Sequence, residues 1–344
     1  MAKILIVRLG AMGDILHALP AVTGIRAALP DATIGWLVEE RWTDLLGAGE
    51  NKPLVDLIHA VNTRQWRSAF LHPSIVGEIR AARKAVRSVH YDVALDLQGA
   101  IKSAWFARLT GASRTAGFVD PREPAARFFY SEKFPRAGEH VIEQNHALAS
   151  QALRSYLCGK NLDLLAPQLP RDPAAELWAE AEIRRLGIAS FAIVNPGAGW
   201  GAKQWPPERY GHVSRELALH NLKTLVNAAQ GEEPLAQEVI AASQGHAFAI
   251  SCTIGQLIAL TRRARLFIGG DTGPLHLAAA LGISVVGLFG PTDPARTGPF
   301  GAPAVALRHE ESKTTFSHHR QPDEGLLKIT VDEVVSAARH LLRS

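Results

Sequence analysis

The stretch Lys3-Ile4-Leu5-Ile6-Val7, followed by Arg8-Leu9-Gly10-Ala11-Met12-Gly13-Asp14, decides the fold class of this chain of 344 residues. Its first part is a continuous apolar run, which is typical of a strand buried on both faces of a parallel sheet. Its second part is a glycine-containing turn that leads into Asp14–Leu29, where apolar residues follow helical spacing. Pro20 lies inside that helical segment, so we expect a kink or a split there. A strand, a turn and a helix in this order open a βαβ unit.

The same alternation continues along the chain. Further strands are predicted at Thr33–Val38, Leu57–Val61, Asp92–Leu97, Phe191–Val194, Lys223–Asn227, Leu266–Gly269 and Val285–Phe289. Further helices are predicted at Pro73–Arg87, Ile101–Leu109, Glu139–Leu157, Pro173–Leu186, Pro207–Leu219, Glu233–Ser243, Ile254–Arg263, Leu275–Leu281 and Val331–Leu342. Strands separated by helices predict an α/β fold with mostly parallel sheets. The two halves show no detectable sequence repeat.

A break in this pattern divides the chain. Residues Gly159–Pro173 hold three prolines and little periodicity, which is typical of a linker. A length of 344 residues also suits two domains better than one. We therefore predict one Rossmann-like domain over residues 1–165 and a second over residues 166–344.

The composition is that of an ordinary globular enzyme, with 47% hydrophobic and 20% charged residues. The formal net charge of +4 is mild and does not predict nucleic-acid binding. The two cysteines, Cys158 and Cys252, are far apart, so we expect no disulfide, no zinc site and a cytoplasmic location. We find no signal peptide and no apolar run of membrane-spanning length, so any membrane association is expected to be peripheral.

The turn at Gly13-Asp14 is the first place where chemistry is expected, because ligands of open α/β sheets lie beyond the carboxyl ends of the strands. The turn lacks G-x-G-x-x-G and Gly-Lys-Ser/Thr, which argues against a nicotinamide oxidoreductase and a P-loop. Asp14 stands where the helix is expected to begin, so it is either a helix cap or a general base. A helix N-terminus favours a charged carboxylate and so weakens it as a base. His17, one helical turn further on, is a rival base or a positioning residue.

Two turns in the second half have the composition of a phosphate site. The turn Asn195–Pro206 contains three glycines and Lys203, which suits a loop around phosphate but also a flexible turn with a solvated lysine. The turn Gly269–His276 opens a helix whose amides favour a pyrophosphate, with Thr272 as a hydroxyl donor. Asp271 there is again a helix cap or a functional residue. The sequence has no Asp-x-Asp pair, which argues against a transferase that holds its donor pyrophosphate through a metal ion.

Together these segments resemble glycosyltransferase family 9. The resemblance runs along nearly the whole chain and is strongest at Met12–Pro20, Asp271–His276 and Gly290–Pro294. Three more segments resemble the branch of that family that adds the first heptose in lipopolysaccharide synthesis: Thr63–Arg67, Asp96–Ser103 and Asp120–Pro124. The resemblance implies a GT-B fold, with two facing Rossmann-like domains and an active site in the interdomain cleft.

The resemblance also implies a reaction and roles for residues. It implies an inverting, metal-independent glycosyltransferase without a cofactor, which moves L-glycero-D-manno-heptose from ADP-heptose to Kdo on lipid A at the cytoplasmic face of the inner membrane. The catalytic base corresponds to Asp14. Donor binding is expected in the second domain at Lys203, Glu232, Asp271, Thr272, Gly273 and His276, with Glu233 as the alternative to Glu232. Acceptor binding is expected in the first domain at Gly13, His17, Arg64, Arg67, Gln98, Lys102 and Arg122.

Bidentate arginines suit the carboxylate of Kdo and the phosphates of lipid A, although Arg64, Arg67 and Arg122 are also compatible with solvated surface charges. Two other functions stay open: a family 9 transferase for the second heptose or another sugar, and a nucleotide-sugar-binding protein without catalysis. The basic helix Pro73–Arg87 is a candidate surface for membrane contact. The oligomeric state is not fixed by the sequence.

Overall fold

The chain divides between Pro170 and Arg171 into two units, which we call the first and the second domain. The sequence had predicted this boundary after residue 165. The structure, a computed structural model, describes residues 1–68, 72–315 and 321–343; nothing is described of the side chains of Arg67 and Ser68. No helix within these ranges is long and apolar enough to cross a membrane.

The first domain is built on a parallel sheet of six strands in the order β3-β2-β1-β4-β5-β6. These strands are β1 (Lys3–Val7), β2 (Thr33–Glu39), β3 (Leu57–Val61), β4 (Val93–Asp96), β5 (Arg114–Phe118) and β6 (Glu132–Phe134). Its α-helices are α1 (Met12–Leu16), α2 (Leu19–Ala28), α3 (Thr63–Ser68), α4 (Pro73–Ser88), α5 (Ile101–Leu109), α6 (Val141–Ala152) and α7 (Arg154–Leu157), with 3₁₀ helices at Glu40–Leu45 and Pro124–Phe129.

The second domain has a second parallel sheet of six strands, in the order β12-β11-β10-β7-β8-β9. These strands are β7 (Phe191–Asn195), β8 (Lys223–Asn227), β9 (Ala247–Ile250), β10 (Leu266–Gly270), β11 (Ser284–Phe289) and β12 (Ala304–Arg308). Its α-helices are α8 (Pro173–Arg185), α9 (Pro207–Ala218), α10 (Glu233–Ser243), α11 (Ile254–Thr261), α12 (Gly273–Ala280), α13 (Pro294–Thr297), α14 (Glu324–Lys328) and α15 (Val331–Arg343), with a 3₁₀ helix at Gly201–Lys203.

Both sheets have the same topology. Counted within each domain, the strand order is 3-2-1-4-5-6, the order of a Rossmann fold. The chain therefore repeats one fold twice, although its two halves share no visible sequence repeat. In each sheet the winding direction reverses between the first and the fourth strand, which is β1 and β4 in the first domain and β7 and β10 in the second. Ligands of such sheets bind at this reversal.

The handedness of the crossovers sets which helices share a face of the first sheet. The β1–β2 connection leads toward one edge, whereas the connections after β3 and β4 lead toward the other edge. Since such crossovers are right-handed, α2 covers one face and α4 and α5 cover the opposite face. Ile75 and Val86 of α4 and Ala107 of α5 share one buried cluster, which places these two helices side by side.

The α/β fold with parallel sheets predicted from the sequence is confirmed. The helix predicted at Asp14–Leu29 is split into α1 and α2, and Pro20 lies in the first turn of α2. The predicted helix Glu139–Leu157 is likewise divided, into α6 and α7. Four strands were missed: β5, β6, β9 and β12. Strands β6, β9 and β12 lie at the edges of the sheets and have partly exposed side chains, and β5 begins with Arg114 and Thr115 instead of an apolar run.

Close packing of α9 on α10 depends on Gly211. A Cβ atom at this position would lie 2.5 Å from both Ala242 Cβ and the Val239 carbonyl oxygen. We therefore expect Gly211→Ala to lower the free energy of unfolding by about 1–3 kcal/mol, the usual cost of overpacking. Urea titration measures this change.

The matched control is Gly77→Ala in α4, where a Cβ atom would meet nothing within 4 Å. There the higher helix propensity of alanine is expected to stabilise the protein by up to about 1 kcal/mol. Equal effects of the two substitutions would contradict the packing described for α9 and α10.

Candidate active site

Asp14 lies at the reversal of the first sheet, in the first turn of helix α1, which follows β1. The helix begins at Met12 rather than at Asp14, so Asp14 is the third helical residue and Ala11 is the N-cap. One carboxylate oxygen accepts a hydrogen bond from the Ala11 amide at 3.1 Å. The other lies 2.8 Å from Nη2 of Arg8. Of the two roles considered for Asp14, that of the N-cap residue does not hold, because its carboxylate reaches back to the Ala11 amide from inside the helix. Its role as a general base stays a prediction.

Arg8 is a site residue that the sequence did not single out. Its side chain is only 7% exposed and joins the two strands of the reversal, since Nη1 donates to the carbonyl oxygen of Leu97, just after β4, while Nη2 pairs with Asp14. Its Nε atom is buried without a hydrogen-bond partner among the described residues. The available signal in the sequence was an arginine directly between an apolar strand and a glycine turn, because arginine is seldom fully buried unless it is paired.

The turn after β4 is held by Asp96, which the sequence also did not single out. Asp96 is fully buried and accepts hydrogen bonds from the Tyr130 hydroxyl at 2.6 Å, the Ser103 hydroxyl at 2.9 Å and the amides of Gln98 and Gly99. Burial raises the pKa of Asp96, and these donors offset part of that rise. Asp96 therefore shapes the turn from inside.

This turn presents Gln98 to the neighbouring strand. The Gln98 side-chain oxygen accepts the Leu9 amide at 2.9 Å, which ties the ends of β1 and β4 together. Gly99 follows with φ +68°, a conformation that favours glycine, and a Cβ atom there would lie 3.1 Å from the amide nitrogen of Arg122. The loop carrying the exposed side chain of Arg122 therefore packs directly on the Gln98 turn.

Lys102, in the first turn of α5, joins three elements of the first domain. Its Nζ donates to the Thr63 hydroxyl at 2.9 Å and lies 3.3 Å from a carboxylate oxygen of Glu39 at the end of β2. Thr63 begins α3, the helix that carries the exposed Arg64. The segment around Arg64 is thus a helix that is anchored to Lys102 through Thr63. The side chain of Arg67 lies outside the described residues.

His17 ends α1 and is 5% exposed. Its ring packs edge-on against that of His140 at a centroid distance of 5.5 Å, and its carbonyl oxygen accepts a hydrogen bond from Asn145 of α6. Gly13 contributes its carbonyl oxygen to the His17 amide within the same turn. These contacts anchor α1 to α6.

The second domain has its own cluster of charges at the reversal of its sheet. Lys203 lies after β7, and its Nζ is 2.6 Å from a carboxylate oxygen of Asp271 and 3.2 Å from the Asp271 carbonyl oxygen. The other carboxylate oxygen of Asp271 lies 2.8 Å from Nε2 of His276. The alternative that Asp271 caps a helix does not hold, because Thr272 is the N-cap position of α12 and Asp271 is engaged with Lys203 and His276. Its role in donor binding stays a prediction.

Asp271 is ionised in this cluster. Burial by itself would raise the pKa of Asp271, but the hydrogen bonds and charges of His276 and Lys203 outweigh burial and hold that pKa well below its ordinary value. An ionised carboxylate only accepts hydrogen bonds, so Nε2 of His276 is the donor. The side chain of Lys203 is 14% exposed, and the Trp200 ring lies 5.3 Å from its Nζ. The ammonium of Lys203 has three N–H donors. Two of them are used by the carboxylate and the carbonyl oxygen of Asp271, which leaves one donor for a ligand.

Unpartnered hydroxyls stand beside this cluster. Thr272 precedes α12, yet its hydroxyl makes no cap hydrogen bond, and Oγ1 is buried without a partner among the described residues. The hydroxyl of Thr292, which follows the adjacent strand β11, is also buried without a hydrogen-bond partner among the described residues. A buried hydroxyl without a hydrogen-bond partner is costly, so these atoms and the amides at the start of α12 suit an anionic ligand.

Glu232 faces the turn after β7. Its carboxylate accepts the Ala229 amide at 3.0 Å, and a Cβ atom at Gly197 would come within 2.1 Å of it. A side chain at position 197 would collide with the Glu232 carboxylate where it now lies. Glu233, the alternative, is exposed, and the backbone amides of Glu233 and Gly231 lower its pKa. Glu232 is therefore the one of the two that contacts the turn leading to Lys203.

A buried pair of amides, Asn195 and Asn227, lies at the ends of β7 and β8. Asn227 donates to the Asn195 side-chain oxygen at 2.6 Å, and Asn195 donates to the Gly197 carbonyl oxygen at 2.8 Å. These residues fix the turn on which Lys203 depends. The sequence marked Asn195 only as the first residue of that turn and gave no reason to select Asn227.

Within residues 1–68, 72–315 and 321–343, no group of three or more His, Cys, Asp or Glu side chains is arranged to hold a metal ion.

Comparisons with known proteins agree with this architecture. The sequence model of glycosyltransferase family 9 (heptosyltransferase) matches residues 79–325. The chain is 30% identical over 311 residues to lipopolysaccharide heptosyltransferase 1 of Pseudomonas aeruginosa, covering 89% of this chain and 83% of the relative. Lipopolysaccharide heptosyltransferase 1 of Escherichia coli K12 is also 30% identical, over 314 residues, covering 89% and 93%.

Among solved structures, the chain resembles the E. coli heptosyltransferase WaaC with ADP at a TM-score of 0.79 and 25% identity, covering 98% of this chain and 99% of that one. The GT-B fold predicted from the sequence is confirmed by this likeness. The chain belongs to glycosyltransferase family 9, and it is a glycosyltransferase.

Neutralising Asp271 should destabilise the second domain. Asp271→Asn leaves Lys203 without its buried counter-ion, so we expect the free energy of unfolding at pH 7 to fall by about 3 kcal/mol. Folding lowers the pKa of Asp271 below the unfolded value of about 3.9. Its contribution is therefore complete above about pH 5 and declines as the pH falls through 4 toward the folded pKa. Urea titrations of both proteins across this range measure the difference.

Asp293→Asn is the matched control, since Asp293 only caps α13 and asparagine caps equally well. A difference between wild type and Asp271→Asn that grew as the pH was lowered from 5 to 4 would contradict an ionised Asp271.

Proposed function

We propose that this glycosyltransferase transfers a heptose from ADP-heptose to Kdo on lipid A, with inversion at the anomeric carbon and without a metal ion. The single observation that carries the proposal is the buried Lys203–Asp271–His276 cluster beside the unpartnered Thr272 hydroxyl at the reversal of the second sheet. Relatives named lipopolysaccharide heptosyltransferase 1 and a similar heptosyltransferase with ADP support the sugar and the nucleotide.

The second domain binds the donor. The diphosphate lies at the N-terminus of α12, where the Thr272 hydroxyl and the amides of Thr272 and Gly273 donate to its oxygens. Lys203 supplies a positive charge whose position is fixed by Asp271, and His276 fixes Asp271 in turn. Glu232, held against the turn after β7, is placed to accept hydroxyls of the nucleotide or the heptose.

This arrangement favours departure of ADP. Negative charge builds up on the diphosphate as the bond between the anomeric carbon and its oxygen breaks. Fixed donors stabilise such charge without having to reorganise, and they act most strongly where water is excluded. Lys203 and the start of α12 serve the purpose that a metal ion serves in transferases with an Asp-x-Asp pair.

The first domain supplies the base and binds the acceptor. The acceptor hydroxyl attacks the anomeric carbon on the face opposite ADP, and its proton passes to Asp14. The bond between the anomeric carbon and the diphosphate oxygen breaks, and ADP leaves. The Asp14 carboxylate pairs with Arg8 and takes the proton as the new bond forms. Gln98 and Arg122 lie on loops, and Arg64 and Lys102 lie near the starts of α3 and α5. All four follow strand ends at the same edge of the sheet and suit the anionic acceptor.

The proposed base is tested by Asp14→Asn. Because asparagine keeps the size of the side chain but accepts no proton, transfer of heptose to Kdo-lipid A should fall by at least about 100-fold. Mass spectrometry of the product measures transfer, and calorimetric titration with ADP should show unchanged binding. Asp31→Asn, which neutralises an exposed aspartate of the same domain, is the control and should remain active.

Near-normal turnover by Asp14→Asn would overturn the assignment and direct attention to His17. Product formed with a Kdo-free acceptor, or only with an acceptor that already carries one heptose, would replace the proposed acceptor while leaving the donor site intact.

The metal-independent donor site is tested by chelation and substitution together. Transfer should be unchanged in EDTA, whereas Lys203→Gln should weaken ADP binding by about tenfold or more, because a charge-assisted contact to the diphosphate is lost. Loss of activity in EDTA that is restored by Mg²⁺ would contradict this part of the proposal.

A further inference from the structure

Large apolar side chains are exposed on one region of the first domain. Ile101 and Trp105 of α5 are 43% and 45% exposed, and they are four residues apart, so they lie on the same side of the helix. Phe128 of the 3₁₀ helix Pro124–Phe129 is 77% exposed. We call Ile101, Trp105 and Phe128 the apolar ridge.

The apolar ridge is carried by two elements that pack against each other. Ala104 of α5, Ala126 of the 3₁₀ helix and Tyr130 form a buried cluster, so the two elements that carry the ridge pack directly on one another. The Tyr130 hydroxyl also donates to the buried Asp96. The exposure of Trp105 and Phe128 therefore belongs to well-packed elements.

A basic hollow lies on the neighbouring helix α4. It has a volume of about 440 Å³ and is lined by Arg80, Arg83, Lys84, Arg87, Ser88 and His90. The hollow and the ridge belong to the same face of the domain. Trp66 donates to Glu78 of α4 and packs against Phe106 of α5, and Arg87 lies against Gly111 at the end of α5.

The charge on this face is strongly one-sided. Helices α4 and α5 and the 3₁₀ helix together carry seven Lys and Arg residues and one acidic residue, Glu78, although the whole chain has a net charge of only +4. Within the described residues, no ion pair neutralises the four cations of the hollow, Arg108 or Arg127. In the second domain, by contrast, arginines such as Arg262 and Arg263 are paired with Glu176.

From these observations we propose that the ridge and the basic hollow form a docking surface for a bilayer that contains anionic lipids. Exposed Trp and Phe side chains beside unpaired cations match the chemistry of a membrane interface, where aromatic rings enter the headgroup region and Lys and Arg bind lipid phosphates. The hollow receives lipid phosphates, and the ridge enters the headgroup region.

Helix α5 links this surface to the proposed acceptor site. Ile101 and Trp105 point outward, whereas Lys102 between them turns to Thr63 and Glu39. Docking through α5 therefore brings the acceptor side of the domain to the membrane. This consequence rests on the proposed lipid-linked acceptor, whereas vesicle binding itself does not.

Binding is tested by sedimentation of the full chain with vesicles, in the absence of any substrate. Vesicles of phosphatidylcholine with an equal share of phosphatidylglycerol should bind the protein, vesicles of phosphatidylcholine alone should bind it weakly, and added salt should weaken binding to the former.

Two double variants probe the surface. Arg80→Gln with Arg83→Gln should weaken binding to the anionic vesicles by about tenfold or more, and Trp105→Ser with Phe128→Ser should weaken binding to both kinds of vesicle. The matched controls lie in the second domain: Leu177→Ser with Leu219→Ser, at positions 68% and 73% exposed, and Arg184→Gln with Arg265→Gln. The control variants should bind like the wild type.

Absence of vesicle binding by the wild type, or equal loss in the control variants, would overturn the docking surface. Transfer to an acceptor dispersed in detergent separates this result from the proposed function, because the ridge and hollow variants should keep that activity. If the wild type binds vesicles but transfers no heptose in detergent, the docking surface stands and the proposed function fails.

Discussion

The reversal of winding direction between the first and fourth strands is the constraint on which both domains depend. At this place two neighbouring parallel strands send their chains to opposite faces, so the edge of the sheet is left open to a ligand. At this place the ends of the two strands are joined by side chains. Arg8 and Gln98 do so in the first domain, and Lys203 with Asp271 does so in the second.

Three carboxylates show how differently the protein uses one chemical group. Asp96 shapes its turn by accepting hydrogen bonds from hydroxyls and amides, and burial raises its pKa. Asp271 is also buried but faces Lys203 and His276, so its pKa falls and it orients a cation. Asp14 is partly exposed and has one cation and one amide beside it, which leaves it accessible to a substrate hydroxyl.

The sequence predicted the parts of this structure that have strong local signals. Buried central strands such as β1 and β10 have continuous apolar runs. The glycine turns after these strands are predicted to be ligand sites, and that stays a prediction. The split at Pro20 followed from proline geometry. Contacts between distant segments, such as Arg8 with Leu97, were not predictable from spacing, nor was the selection of Asp96 and Asn227. The alternative that Asp271 caps a helix does not hold, because its carboxylate pairs with Lys203, which is far away along the chain.

The central claim is that the reversal of the second sheet binds the donor diphosphate. A crystal structure of the protein with ADP tests it most directly. The account predicts diphosphate oxygens within about 3.2 Å of Nζ of Lys203, the hydroxyl of Thr272 and the amide of Gly273. A diphosphate bound at another strand end, with Lys203 contacting only Asp271 and the Thr272 hydroxyl still unpartnered, would contradict it.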